Sequence, residues 1–392
     1  MARSLAKNRL PAGWKYDLLD KFSTRCSGHT PSKSFPEYWN GGIKWISLAD
    51  SYRLDQGYVY QTDNEISEAG IANSSAELHP AETVVLSRDA GIGKSGVMAV
   101  PMAVSQHFIA WKCDNKEILN SWFLYNWLQL NKAEFERQAV GSTIKTIGLP
   151  YFKKLKIAVP PYPEQNKIAH VLSTWDKAIS TTEQLLANSQ QQKTALMQQL
   201  LTGKKRLLDS NGMRFSGEWS FITFDDMFKV NNKKSAQVKS SDYLEAGAVP
   251  VVDQGKQLIV GYCNNEEIYT DIPVIVFGDH TRCLKWVDFE FCPGADGTQV
   301  LDTKAGIDKK FGYYSLCFTD IPNLGYSRHM RELKEKDFKV PLDAKEQQKI
   351  AAVLSTADQE ITTLQQKLDA LKQEKKALMQ QLLTGKRRVL VN

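Results

Sequence analysis

The stretch ALMQQLLTGK occupies residues 195–204 and returns letter for letter at residues 377–386, 182 positions later. The same offset carries Glu164-Gln165 onto Glu346-Gln347, Lys167-Ile168-Ala169 onto Lys349-Ile350-Ala351, and Val171-Leu172-Ser173-Thr174 onto Val353-Leu354-Ser355-Thr356. The repeat therefore spans about forty residues, and a chain built on such a repeat is read through it.

Each copy predicts one long helix. No Pro or Gly interrupts the run from the Glu-Gln pair to the terminal Thr-Gly, and Leu, Ala, Gln, Glu and Lys dominate it. Pro163 and Pro341 stand where the helices begin, and Gly203 and Gly385 stand where a left-handed C-cap stops them. Apolar residues fall on a seven-residue spacing: Ile168, Trp175, Thr182, Ser189 and Leu196 in one row, Leu172, Ile179, Leu186, Lys193 and Leu200 in the other. The second copy gives Ile350, Ala357, Leu364, Leu371 and Leu378 beside Leu354, Ile361, Leu368, Lys375 and Leu382. Such a seam is the signature of coiled-coil packing. Each helix could also lie on its own globular domain, but near-identical helices are natural partners for each other. At 1.5 Å per residue, forty residues make a rod of roughly 60 Å, long enough to hold two domains apart.

Between the helices lie two blocks of similar layout. Gly13-Trp14 and Gly217-Glu218-Trp219 open them equivalently, and short β-type runs follow, such as GGIKWISLAD and HFIAWKC in the first and IPVIVFGDHT and KWVDFEFC in the second. A helix over residues 117–136, with Ile118, Trp122, Tyr125, Leu128 and Phe135 on its buried stripe, closes the first block. The expected fold is α/β (α+β): two mixed, strand-rich domains separated by two long helices that form an antiparallel coiled coil with approximate two-fold symmetry. The expected division is 1–162, 163–208, 209–344 and 345–392. A two-fold object suits a bipartite target, and duplex DNA is the commonest one with regular spacing.

Bulk composition agrees with this plan and excludes others. The chain has 392 residues, 42% of them hydrophobic and 24% charged, which is enough for two or three cores. It has no apolar run long enough to span a bilayer, and its N-terminus lacks the apolar segment of a secretory signal, so a cytoplasmic, non-membrane protein is expected. Its net charge of +6 is compatible with nucleic acid without requiring it. Six cysteines at irregular intervals form no Cys-x2-Cys pair and no zinc-spaced cluster with histidine, so they read as reduced core thiols, and no metal site is expected. His29, His79 and His170 read as structural or exposed.

The chain resembles the DNA specificity subunit of type I restriction-modification systems over nearly all its length. The resemblance lies in GHTPSKSFPEYWNGGIKWISLAD (28–50), SSAELHP, VVLSRDAGIGKSG, GSTIKTI and VPPYPEQNKIAHVL in the first half, in GDHTR and VPLDAKEQQKIAAVL in the second, and above all in the twice-used pairing of EQ-x-KIA with LLTGK(K/R)R. It implies two target-recognition domains that each read half of a split double-stranded DNA site. It implies helices that act as spacer and as docking surface for two methyltransferase subunits, to which restriction subunits add. S-adenosylmethionine, ATP and magnesium would then belong to those partners, and this chain would be non-catalytic by itself. The unlike loops of the halves, SRDAGIGK against GDHTR, imply an asymmetric target. The rival readings are a coiled-coil scaffold with two protein-binding domains and a stand-alone DNA methyltransferase.

Three motifs could mislead. VPPYPEQ resembles an adenine-methyltransferase motif, but Val159 lacks the polar side chain that holds a flipped base, and no Gly-rich cofactor loop follows a strand. GIGKS (91–95) resembles a phosphate loop, but Arg88 stands where the pattern needs glycine. GDHTR (278–282) places Asp, His, Thr and Arg side by side on a strand end, where neighbours point apart, so a base-reading loop or a plain turn is expected rather than a catalytic site.

Base reading uses Arg on guanine, Asn or Gln on adenine and acids on cytosine, while Lys, Arg, Ser and Thr take phosphates. By that rule the candidates in the first block are Arg88, Asp89 and Lys94 on one hairpin loop, Gln106 and His107 after the next turn, and Ser142, Thr143 and Lys145. In the second they are His280, Thr281, Arg282 and Lys285, then Asp296, Thr298 and Gln299, then Tyr326, Ser327, Arg328 and His329. The basic clusters Lys204-Lys205-Arg206 and Lys386-Arg387-Arg388 complement the helix dipoles, with phosphates or partner subunits as further contacts.

Overall fold

A computed structural model describes residues 10–113, 117–142, 145–325 and 327–390. The chain forms two compact units, Met1–Glu183 with Lys367–Asn392, and Gln184–Gln366. Each unit thus takes a share of both long helices, Tyr162–Leu200 and Ala344–Leu382, of 39 residues each. Pro163 lies in the first turn of the first helix, whereas Pro341 ends the strand Asp337–Pro341 ahead of the second.

In the first unit, a five-stranded sheet runs in the order Thr24–Ser27, Phe108–Lys112, Val84–Ser87, Ser95–Met98, Tyr58–Val59. A three-stranded sheet runs Asn64–Ile66, Trp39–Ile46, Ala103–Val104, and Lys15–Leu18 pairs antiparallel with Lys156–Val159. The second unit repeats this plan. Its four-stranded sheet runs Phe228–Val230, Thr298–Thr303, Val274–Gly278, Leu284–Val287, its three-stranded sheet runs Gly261–Cys263, Val249–Val252, Cys292–Pro293, and Trp219–Thr223 pairs with Asp337–Pro341. The parallel pairing of the three-stranded sheet recurs too, Trp39–Ile46 with Ala103–Val104 and Val249–Val252 with Cys292–Pro293. The inner strands Val84–Ser87 and Val274–Gly278 are buried throughout, which explains their unbroken apolar runs.

The helix expected over residues 117–136 is two. Asn120 caps Ser121–Leu130 by accepting from the Phe123 N–H at 2.9 Å, and Lys132–Gln138 follows after Asn131, whose side chain donates back to the Trp127 carbonyl at 2.8 Å. Asn competes locally for backbone partners in this way and so interrupts helices. Ile118 precedes the first helix and is exposed, while Tyr125, Leu128 and Phe135 are buried as expected. In the second unit, Asp308 caps Lys309–Phe318 in the same manner, at 2.9 Å from the Phe311 N–H.

The long helices run antiparallel to each other within each unit. In the first unit Lys375 meets Asp176 and Lys372 meets Glu183 at 2.8 Å; in the second, Lys193 meets Asp358 and the Ser189 hydroxyl donates to Glu360 at 3.0 Å. Lys375–Asp176 and Lys193–Asp358 are the same contact displaced by the repeat. None of the sixteen apolar residues in the seam rows is exposed, but the seam is not uniform. Ile168, Leu172, Leu378 and Leu382 join the core of the first unit, and Leu196, Leu200, Ile350 and Leu354 join the core of the second, so the helix ends are shared between seam and domain.

The repeated Glu-Gln pair explains how domain and helix are joined. Gln165, buried, accepts from the Asn120 N–H at 2.8 Å and donates to the carbonyls of Ile118 and Pro160 at 2.9 Å each. Gln347 accepts from Asp308 N–H at 2.7 Å and donates to Gly306 and Pro341 at 3.2 and 2.9 Å. Each glutamine therefore latches its long helix to the cap of the short one. Glu164 and Glu346, 2% and 0% exposed, accept from Arg388 and Arg206 respectively. Those arginines, read from sequence as dipole complements with phosphates or partner subunits as further contacts, each hold a buried glutamate while Arg206 stays half-buried and Arg388 exposed.

Both helices stop as expected. Gly203 and Gly385 have φ of +69° and +72°, and the N–H groups of Lys205 and Arg387 return to Gln199 and Gln381 at 3.0 and 3.1 Å. A Cβ on Gly385 would meet Pro11 at 2.5 Å, so glycine is needed there for space as well as for backbone conformation.

Candidate nucleic-acid interface

In the first unit, the hairpin loop joining Val84–Ser87 to Ser95–Met98 turns on Gly91 and Gly93, both at positive φ. Beside it lies the loop carried by the Val140–Thr146 bridge. Asp89 ties the two together: one carboxylate oxygen takes the Thr146 hydroxyl and lies 3.8 Å from the Arg88 guanidinium, and the other lies 2.5 Å from His107 Nδ1. Arg88 also donates to Thr146 at 3.5 Å, and its carbonyl accepts the Ile147 N–H at 2.8 Å. Asp89 therefore holds three side chains from three segments in place, and its carboxylate is already engaged on both oxygens. Lys94 donates to the Ser51 carbonyl and hydroxyl at 3.0 and 3.1 Å, and Lys132 pairs with Asp55 at 2.6 Å. With Lys145, which is exposed, they line a depression of about 430 Å³ floored by Gly91 and Ile92. Gln106 is exposed and joined to Thr30; Ser142 is exposed. Thr143 lies outside the described residues.

In the second unit, the loop joining Val274–Gly278 to Leu284–Val287 occupies the equivalent place. Arg282 adopts φ +61° there, and its guanidinium donates to the Ile321 carbonyl at 2.8 Å. The turn Asp296-Gly297 has φ of +60° and +76° and reaches back to the same loop through Asp279 N–H to Gly297 O at 2.7 Å. Gln254 joins them: its side chain accepts from His280 N–H and donates to Asp296 O, both at 3.1 Å, and its carbonyl accepts the Thr281 hydroxyl. A Cβ on Gly297 would lie 2.6 Å from Gln254 Oε1 at a φ of +76° that favours glycine, so any other residue would strain the turn and displace the Gln254 side chain that joins the loops. Gln299 accepts from Asn232 at 2.6 Å, and His280 Nδ1 lies 3.1 Å from the Ser327 carbonyl.

Three candidates of this unit face inward instead, Thr298 on its buried strand, Lys285 and His329. Lys285 is 6% exposed and donates to the Asp253 carbonyl at 2.6 Å; burial pulls its ammonium below the usual lysine range, against Asp253, which raises it. His329 is fully buried, its Nδ1 2.8 Å from the Asp279 carbonyl and its Nε2 accepting from Leu324 N–H at 3.2 Å. These two order the loops from beneath. Arg328 is exposed beside them, and Tyr326 lies outside the described residues. Gln254, Asp253 and Thr146 were not singled out from sequence, where nothing but a polar residue at a strand end marks the first two, and Asp279 was read only as part of GDHTR.

Among the described residues, no helix is long and apolar enough to cross a membrane. A sequence model of the family described as type I restriction modification DNA specificity domain matches residues 11–188 and 216–373. The type I restriction enzyme MjaVIII specificity subunit of Methanocaldococcus jannaschii is 24% identical over 434 residues, covering 97% of this chain and 94% of the relative. The MjaIX specificity subunit of the same organism is 24% identical over 265 residues, covering 65% of this chain and 60% of the relative, so this chain spans less than two thirds of that protein. In fold, the chain is similar to the S subunit of a type I restriction-modification system from M. genitalium, with a TM-score of 0.62 at 16% identity over 96% of this chain and 97% of that one.

Proposed function

Since this chain belongs to the type I restriction-modification DNA specificity family, we propose that it is the sequence reader of such a complex, each unit taking one half of a split, asymmetric duplex site. The observation that carries this reading is the recurrence of one arrangement in both units: a hairpin loop on the same inner strand, pinned by half-buried polar groups to a second loop, with exposed Lys145 in one unit and Arg328 in the other at its margin. Arg88, Asp89, Gln106 and Ser142 in the first unit, and His280, Thr281, Arg282, Asp296 and Gln299 in the second, offer the donors and acceptors that base edges and phosphates require. Arg88, Arg282 and Gln299 present partly satisfied side chains, and Lys145 and Arg328 supply free-standing positive charge suited to phosphate.

The paired helices then serve as the ruler between half-sites, and the complex includes methyltransferase subunits, two by the repeat, with restriction subunits added. The chemistry and its cofactors belong to those partners, and the work is done wherever chromosomal DNA is, in the cytoplasm. Mapping methylated adenines in the source genome, with the gene intact and deleted, tests this. A split motif that disappears with the gene is expected; a methylation pattern indifferent to the deletion overturns the reading.

A further inference from the structure

Sequence spacing offers no metal cluster, yet folding of the first unit brings Cys26, Glu77 and His79 together, with one ligand atom from each lying within 4.8 Å of the other two. Cys26 comes from the outer strand Thr24–Ser27. His79 is fixed by an antiparallel bridge to Met102, each N–H donating to the other's carbonyl at 2.8 and 3.0 Å. We propose that these three side chains bind a zinc ion.

His79 is the observation that points to a ligand. It is fully buried, and neither ring nitrogen has a hydrogen-bond partner, although buried polar atoms are nearly always paired. A buried imidazole with a free lone pair beside a thiol and a carboxylate is a donor set awaiting a cation. Positive charge is already drawn there, since the Lys112 ammonium lies 3.2 Å from the Glu77 carboxylate. The donors select the ion: thiolate and imidazole suit Zn²⁺, whereas Ca²⁺ and Mg²⁺ take oxygen. Ligand atoms around tetrahedral zinc stand closer than those here, so closure by about 1 Å is needed, with water in the fourth position. Binding releases the Cys26 proton to solvent, leaves the imidazole and carboxylate as they are, and frees Lys112 from Glu77. The ion would fasten the segment around residues 77–79 to the edge of the five-stranded sheet.

The site is tested on the full chain with Co²⁺ as a spectroscopic probe, displaced afterwards by Zn²⁺. One equivalent is expected to give a thiolate-to-cobalt charge-transfer band. Cys26→Ser should abolish the band, Glu77→Gln should weaken binding by about tenfold, Lys112→Met should tighten it, and Cys317→Ser, on an exposed cysteine, should change nothing. Glu77 and Lys112 are partly exposed, so their variants report even if His79→Ala fails to fold. No band at one equivalent, or a band that persists in Cys26→Ser, overturns the proposal.

Discussion

Arg388 grips Glu164 with two nitrogens, Nε at 2.6 Å and Nη2 at 2.8 Å, across 224 positions of sequence. In the second unit Arg206 grips Glu346 in the same way, at 2.6 and 2.7 Å. Each carboxylate sits at the head of one long helix and each guanidinium just past the tail of the other. The pair is a bidentate fork on a nearly solvent-free acid, the strongest form such contacts take.

Removing the arginine should therefore cost far more than a surface ion pair would. Arg206→Ala strands the buried Glu346 carboxylate, at a cost of about 3 kcal/mol or more. Arg206→Ala with Glu346→Ala should recover part of that loss, because no charge is left buried. Urea unfolding of the three variants measures both; a loss below about 1 kcal/mol for Arg206→Ala, as for exposed pairs, would make the clasp incidental.

Acid should loosen the second unit through Asp302. Burial pushes its carboxyl up, but Lys309 and Lys229, each at 3.1 Å, outweigh that and hold it below the ordinary value of 3.8. With the folded value depressed, the stabilisation is fully present above about pH 3.8 and fades as pH falls through the lower folded value. Asp302→Asn should be less stable than the wild type at neutral pH, and the gap should close in that acid window. Thermal melts between neutral pH and about pH 2 read the convergence; a gap that stays constant with pH counts against it.

DNA binding should separate the exposed from the buried cations. Lys145→Ala and Arg328→Ala should each weaken binding alike on all sequences and reduce the salt slope by about one. Lys285→Gln should leave the slope unchanged and lower the melting temperature, because its ammonium is tied to Asp253 beneath the loop. Titrations of the assembled complex at several salt concentrations distinguish the two classes.

The seam makes a demand on any attempt to lengthen the ruler. An insertion near Thr182 alone shifts Lys372 and Lys375 out of register with Glu183 and Asp176. One heptad added to both helices at matched points keeps the ladder. The paired insertion should lengthen the spacer in the methylated motif, while the single one should destabilise the chain; an unchanged spacer in a stable paired variant would remove the helices from that role.

What was legible in the sequence was local. The heptad rows, the Glu-Gln heads and the Gly203 and Gly385 stops announce two helices, because helix periodicity and caps leave marks within a few residues. The matched hairpin loops were also visible, from Gly91 and Gly93 and from GDHTR. The rest depends on contacts far apart in sequence. Nothing near Lys285 says that Asp253 lies above it, nothing near His329 says that it is enclosed, and Arg206 looks like any basic residue until Glu346 is placed beside it. The repeated sheet order was hidden for the same reason, since strand partners leave no spacing to read.

The shared helix ends have a consequence for synthesis. Met379, Leu382, Leu383 and Val389 pack in the core of the first unit with Trp14 and Phe123. On a ribosome, the domain that emerges first is thus still missing a wall when its own strands are complete. It must wait, part-built, through the making of the second unit, and is finished only when Arg388 leaves the exit tunnel and finds Glu164.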